Sequence, residues 1–180
     1  MSERQKAWNA AAQAVGTIVL GYAELENTLY LIASIVFYKA GGRDYKEHGA
    51  KRPTWRHFPD NAAGRHNMLD TCFESLDSLS SLRRAWREIS KGLSVVENKR
   101  HAMVHGVWTG EIGPGVSLTF VRFKAKKDKH QKLTLRLTHR QMVAIGKRIY
   151  AINAVAMALS ECLYYLLVPE DERDKPLGSR

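Results

Sequence analysis

The chain has 180 residues, of which 44% are hydrophobic and 26% charged; this balance excludes a mostly membrane-embedded or intrinsically disordered protein and suffices for one well-buried core. Its 28 Lys and Arg against 18 Asp and Glu give a formal net charge of +10, which points to an acidic partner, nucleic acid before an anionic membrane surface. Two cysteines, Cys72 and Cys162, lack the paired spacing of a zinc site or disulfide framework, so both are expected as reduced core residues of a cytoplasmic protein. The start, MSERQKAWNAAAQ, has no signal-peptide pattern. The apolar region from Gly16 to Tyr38 is interrupted by Glu24, Glu26 and Asn27, so no membrane span is expected.

In chain order, the pattern from Ser2 to Ala40 is helical. Ile18, Tyr22, Leu25, Leu29, Ile32 and Val36 recur at steps of four and three and make one apolar seam, which Val19, Leu31 and Ile35 widen; Gly41 and Gly42 supply the stop. The next stretch, GGRDYKEHGAKRPTWRHFPD, has no period. Arg43, Lys46, Lys51, Arg52 and Arg56 mix there with Tyr45, Trp55 and Phe58, a composition that suits stacking on single-stranded bases and phosphate contact, or equally a solvated loop pinned by Trp55. A second helix is expected from near Asp60, with Met68, Leu69, Cys72, Phe73 and Leu76 inward.

A third helix is expected to start at the Ser78 to Ser81 punctuation, with the stripe Leu82, Trp86, Ile89, Leu93, Val96, Arg100, Met103 and Val107. Arg100 falls near the centre of that stripe, where Leu or Ile belongs. After His105 the period changes to two. VSLTFVRFK and LTLRLT read as an antiparallel hairpin, with Lys124, Lys126, Lys127, Lys129, His130 and Lys132 crowding its turn, either as a solvated tip or as a basic projection for a phosphate backbone. THRQ opens the last helix with a capping box, Thr138 with Gln141. Val143, Ile149, Ile152, Val155, Met157, Leu159, Leu163 and Leu166 form its apolar set, Pro169 ends it, and residues 169–180 are expected to be a disordered tail. The fold expected is mainly α: a single domain over 1–168, a bundle of about four principal helices with a β-hairpin inserted at about 107–137, before the last helix.

Three readings account for the polar groups of KRHAMVHGVW. Arg100 can be a buried arginine paired with a carboxylate, with His101 and His105 as satisfied groups at a helix end. Glu97, His101 and His105, spaced i, i+4 and i+8, share a helix face and can approach a metal, although the chain has no HExxH motif and metal ranks below the first reading. The third rests on resemblance. Arg100 and His105 in RHAMVH, followed by Gly106 and Trp108, resemble the Rx4-6H motif of the HEPN superfamily. A long first helix with LENTLYLI and a final apolar helix are similar in outline to bacterial members, whereas the hairpin departs from a minimal bundle.

The resemblance implies a dimeric helical bundle and a metal-independent endoribonuclease of toxin or antiphage type, with RNA as partner, no cofactor, and an antitoxin or nucleotidyltransferase partner. It implies Arg100 and His105 as catalytic residues and His101, where the family most often has asparagine, and Glu26 as supporting ones. Lys126, Lys127, Lys129, Lys132, Arg52 and Arg56 are the expected RNA contacts. The chemistry is coherent: histidine transfers protons near neutrality, and the guanidinium fork stabilises a phosphorane. The alternative is a catalytically silent HEPN-like dimer that binds RNA or a protein. Five residues turn an ideal helix by about 500°, so Arg100 and His105 should point about 140° apart, unless the helix ends near Val104 or the site is completed across a dimer two-fold.

Overall fold

The computed structural model describes residues 1–40, 58–105, 107–109, 117–126 and 129–173. Among these residues there are four α-helices, α1 (Glu3–Ile35), α2 (Ala62–Ser75), α3 (Arg83–His105) and α4 (His139–Leu167). Strands β1 (Val107–Thr109), β2 (Ser117–Lys126) and β3 (Lys129–Thr138) lie between α3 and α4. The protein is a mainly α-helical bundle with antiparallel strands inserted before its last helix. The chain divides into two compact units, one of Met1–Ala23 and Gly92–Ala151, the other of Glu24–Lys91 and Ile152–Arg180.

In the first unit, α1 buries Ala11, Ala14, Val15, Ile18 and Tyr22, the inward positions of one helical face. Gly21 brings α1 close to α4: a Cβ there would stand 3.3 Å from Tyr150 Cζ and 3.5 Å from Ile149 Cγ2. The sheet has the order β1-β2-β3, with Leu118 opposite Leu137 and Phe120 opposite Leu135. Leu118, Phe120 and Leu137 are buried, as the alternating pattern requires. Two features differ from the sequence reading. A third strand, β1, pairs with β2 through Val107 and Val121, so Val107 belongs to the sheet and not to the α3 stripe. The hairpin ladder also extends to Lys126 opposite Lys129, which puts Lys124, Lys126, Lys129, His130 and Lys132 in strands and not in a turn. The capping box forms as expected: Thr138 N–H donates to Gln141 Oε1 at 2.8 Å, and Gln141 N–H to Thr138 Oγ1 at 3.2 Å.

In the second unit, Asn61 caps α2 by accepting from Gly64 N–H at 2.7 Å, which sets its start at Ala62. Trp86 anchors α3 against α2: its ring stacks on Phe73 with centroids 5.3 Å apart, and its Nε1–H donates to Asp70 at 2.7 Å. The Ser78 to Ser81 stretch forms a 3-10 turn, Asp77–Leu82, so α3 proper begins at Arg83. A π-turn, Val36–Ala40, closes the first helical segment; Gly41 and Gly42 lie outside the described residues. On α4, Asn153 accepts from Thr28 Oγ1 at 2.8 Å. The start of the expected tail is structured: Glu170–Glu172 make a 3-10 turn, Glu172 pairs with Lys39 at 2.5 Å, and Tyr164 donates to the Arg173 carbonyl.

Several apolar residues assigned to core faces are exposed. They are Val19 and Leu31 on α1 and Val143, Val155, Met157 and Leu166 on α4; Leu29 is half-buried and Cys162 is exposed, whereas Cys72 is buried. One helix covers only part of its neighbour, so the rest of a wide apolar stripe stays in water. Among the described residues, α4 is the helix long and apolar enough to cross a bilayer by length and composition, with 39% of its most apolar window buried; the interrupted first helix is not.

Gly146 and Gly16 lie inside helices. A Cβ at Gly146 would meet Thr17 and Ile18 at 3.7 and 3.8 Å, ordinary contact, and one at Gly16 would meet nothing within 4 Å. Gly16→Ala and Gly146→Ala should each raise the unfolding free energy by about 0.5–1 kcal/mol, the difference between glycine and alanine in a helix interior. Urea denaturation checks this. A loss of stability at Gly146 would mean that the α1–α4 approach in the first unit is tighter than described.

Candidate functional site

The third helix carries its stripe inward as the sequence demands: Trp86, Ile89, Leu93, Val96 and Met103 are all buried. Arg100 lies one turn beyond Val96 and on the same face, so its side chain enters the protein. It stays half-buried, with Nε fully enclosed. Its guanidinium carbon stands 4.5 Å from the centroid of the Tyr22 ring on α1, and Tyr22 is only 5% exposed. A guanidinium at that distance over an aromatic face is held by the ring quadrupole, an attraction of about 0.5–1 kcal/mol in water and about 2 kcal/mol where water is excluded.

His101 and His105 occupy i and i+4 on α3, and their rings meet with centroids 4.5 Å apart and planes tilted by 51°. His101 is half-buried, and His105, the last residue of the helix, is exposed. Because α3 remains helical through His105, Arg100 and His105 diverge by about 140° around its axis, and the early helix end that would relax this is not found. Arg100 turns inward onto Tyr22. The two imidazoles sit together on the outer side.

Glu97 is exposed on α3, and among the described residues no group of three or more His, Cys, Asp or Glu is arranged to hold a metal, so Glu97, His101 and His105 do not form a three-ligand site. Glu26 is half-buried on α1, in the second unit. Lys126 faces Lys129 across the hairpin ladder, and Lys132 is registered against Phe123. Lys127, Arg52 and Arg56 lie outside the described residues. A pocket of about 310 Å³ in the first unit, between α1 and α4, is lined by Ala14, Thr17, His139, Met142, Lys147 and Tyr150 among others, and by none of the motif residues.

Tyr22 is the site residue that the sequence reading missed, since it counted only as part of the α1 seam. The available signal was indirect. A cation inside an apolar stripe needs a partner, and a seam aromatic on another helix is a suitable one. No family model matches the chain, and no curated protein or solved structure is significantly similar to it.

The two motif positions should respond differently to truncation. His105→Ala, at an exposed helix end, should change the unfolding free energy by no more than about 0.5 kcal/mol. Arg100→Ala should lower it by about 1–2 kcal/mol through loss of the aromatic contact and of the stem's packing. Paired denaturation curves check both. Equal effects would contradict the inward placement of Arg100 and the outward placement of His105.

Proposed function

We propose that the protein is a metal-independent endoribonuclease of HEPN type, acting as a cytoplasmic homodimer. The observation that carries this reading is a guanidinium anchored on a buried aromatic ring, on the same helix end as a pair of histidines of which His105 is exposed. Cleaving RNA without metal requires a base for the 2′-hydroxyl proton, an acid for the leaving 5′-oxygen and positive charge for the phosphorane oxygens. His105 supplies proton transfer, Arg100 supplies the charge, and His101 supports them; Glu26 is a supporting residue only by the family resemblance.

The divergence of Arg100 and His105 on α3 makes one protomer an incomplete site, so His105 of one protomer works with Arg100 of its partner across a two-fold axis. Val104, exposed on α3 beside His105, offers apolar surface for that contact. Lys126, Lys127, Lys129 and Lys132 bind the RNA backbone, with Arg52 and Arg56, and the net charge of +10 draws the polyanion to the site. An unrestrained ribonuclease harms its own cell. The reading therefore carries a role in toxin–antitoxin or antiphage defence, with an antitoxin or nucleotidyltransferase partner as restraint.

The same divergence favours a second reading, a catalytically silent HEPN-like dimer that binds RNA or a protein. The experiment that separates them is cleavage in EDTA. The protein should cut single-stranded RNA but not DNA, which lacks the 2′-hydroxyl nucleophile, and leave 2′,3′-cyclic phosphate ends. His105→Ala should slow this by about 10²- to 10⁴-fold with its fold intact. Replacing the four hairpin lysines by glutamine should weaken RNA binding and flatten its salt dependence. Absence of cleavage, or full activity in His105→Ala, selects the silent module, and activity lost only with EDTA returns the chemistry to a metal.

A further inference from the structure

We infer that His101 and His105 form a two-imidazole chelate for a divalent transition cation of the Cu²⁺, Ni²⁺ or Zn²⁺ class, and that a cation held there silences this helix end. The chelate rests on the geometry of α3 alone. Its consequence for activity rests on the ribonuclease reading.

Three observations support the chelate. The first is spacing. Residues i and i+4 of an α-helix carry their side chains on one face, one turn apart, and α3 is helical from Arg83 through His105. The second is the separation of the rings. A metal–nitrogen bond of about 2.0–2.1 Å plus about 1.15 Å from that nitrogen to the ring centre puts each imidazole centroid about 3.2 Å from the ion. Two imidazoles bound at about 90° to each other then have centroids about 4.5 Å apart, and at the tetrahedral angle about 5.2 Å. The His101 and His105 centroids are 4.5 Å apart, with planes tilted by 51°. The third is access. His105 is exposed as the last residue of α3 and His101 is half-buried, so an ion reaches the pair from water. Coordination takes one nitrogen of each ring. A hydrogen bond at the other nitrogen of His101 is compatible with it and orients the ring, as is usual for metal-bound histidines.

The donor atoms select the class of ion. Imidazole nitrogen suits Cu²⁺, Ni²⁺ and Zn²⁺, whereas Mg²⁺ and Ca²⁺ take oxygen ligands. The observed separation matches the right angle of tetragonal or octahedral coordination, so Cu²⁺ should bind most tightly, in line with its place in the general affinity order. Among the described residues no third His, Cys, Asp or Glu completes a cluster with the pair, so water fills the remaining positions and the ion is held reversibly. A neutral imidazole has a single free nitrogen lone pair, and the ion occupies it. A metal-bound His105 therefore accepts no proton from a 2′-hydroxyl. The cation is an inhibitor of a reaction that does not need it.

The test is a metal titration of the full chain with isotopically labelled histidines, followed by nuclear magnetic resonance. Substoichiometric Cu²⁺ should broaden the imidazole signals of His101 and His105 first and together, and Mg²⁺ should move neither. By calorimetry, His105→Ala, which removes an exposed side chain, should weaken Cu²⁺ binding by at least about tenfold, and His101→Ala by as much, as the loss of one of two ligands requires. His139→Ala, on α4, should change nothing. If His101→Ala does not fold, His105→Ala and the broadening pattern decide. Cu²⁺ affinity unchanged in His105→Ala, or another histidine broadened ahead of the pair, would overturn the chelate. In RNA cleavage, Zn²⁺ at a concentration that saturates the pair should bring the wild type down to the rate of His105→Ala, and EDTA should restore it. An undiminished rate at saturation would overturn the silencing. Should wild-type protein in EDTA cleave no RNA, the ribonuclease reading falls by itself, and the Cu²⁺ titration still decides the chelate.

Discussion

An arginine inside an apolar stripe is the constraint around which this site is organised. Taking a guanidinium out of water costs several kcal/mol unless compensating contacts are built around it, and an apolar helix face supplies none by itself. Tyr22 supplies one, 4.5 Å from the cation and almost wholly buried. Beside it, Gly21 lies close to α4, where a Cβ would stand 3.3 Å from Tyr150 Cζ and 3.5 Å from Ile149 Cγ2. The local rule broken at Arg100 is thus met in part on another helix.

The same helix imposes a second condition. Since α3 stays regular to His105, whatever turns Arg100 inward turns His105 away from it, and the histidine finds its neighbour one turn back in His101. An enzyme that uses both Arg100 and His105 on one phosphate has to bring them from two protomers. A binding module has no such need. On the ribonuclease reading, oligomeric state and catalysis would be linked through this helix end.

Much of this was legible in the sequence, for reasons that show where legibility stops. The inward faces of α1 and α3 follow from periodicity alone, as Ile18, Tyr22, Trp86, Ile89, Leu93 and Val96 show. The capping box at Thr138 was readable because its two partners lie three residues apart. Arg100 stood out because it breaks a pattern. Exposure of Val19, Leu31, Val143, Val155 and Met157 was not readable, because a period marks which residues share a face but not how far a neighbour covers it. The three residues of β1 are too few to display a period of two. Tyr22 was hidden for the opposite reason: an aromatic residue in an apolar seam satisfies the core pattern fully, and nothing local reveals that its face serves a cation.

The measurement that tests the account most directly is a titration of isotopically labelled protein with an RNA oligonucleotide carrying 2′-O-methyl groups, which occupies the site but cannot react. The side-chain signal of Arg100 Nε–H and the imidazole signals of His101 and His105 should move together and saturate at one ligand concentration, because the proposed site holds one phosphate with all of them. Shifts confined to the hairpin strands, with Arg100 and the two histidines unmoved at saturation, would contradict the assignment of this helix end as the place where RNA is bound and cut.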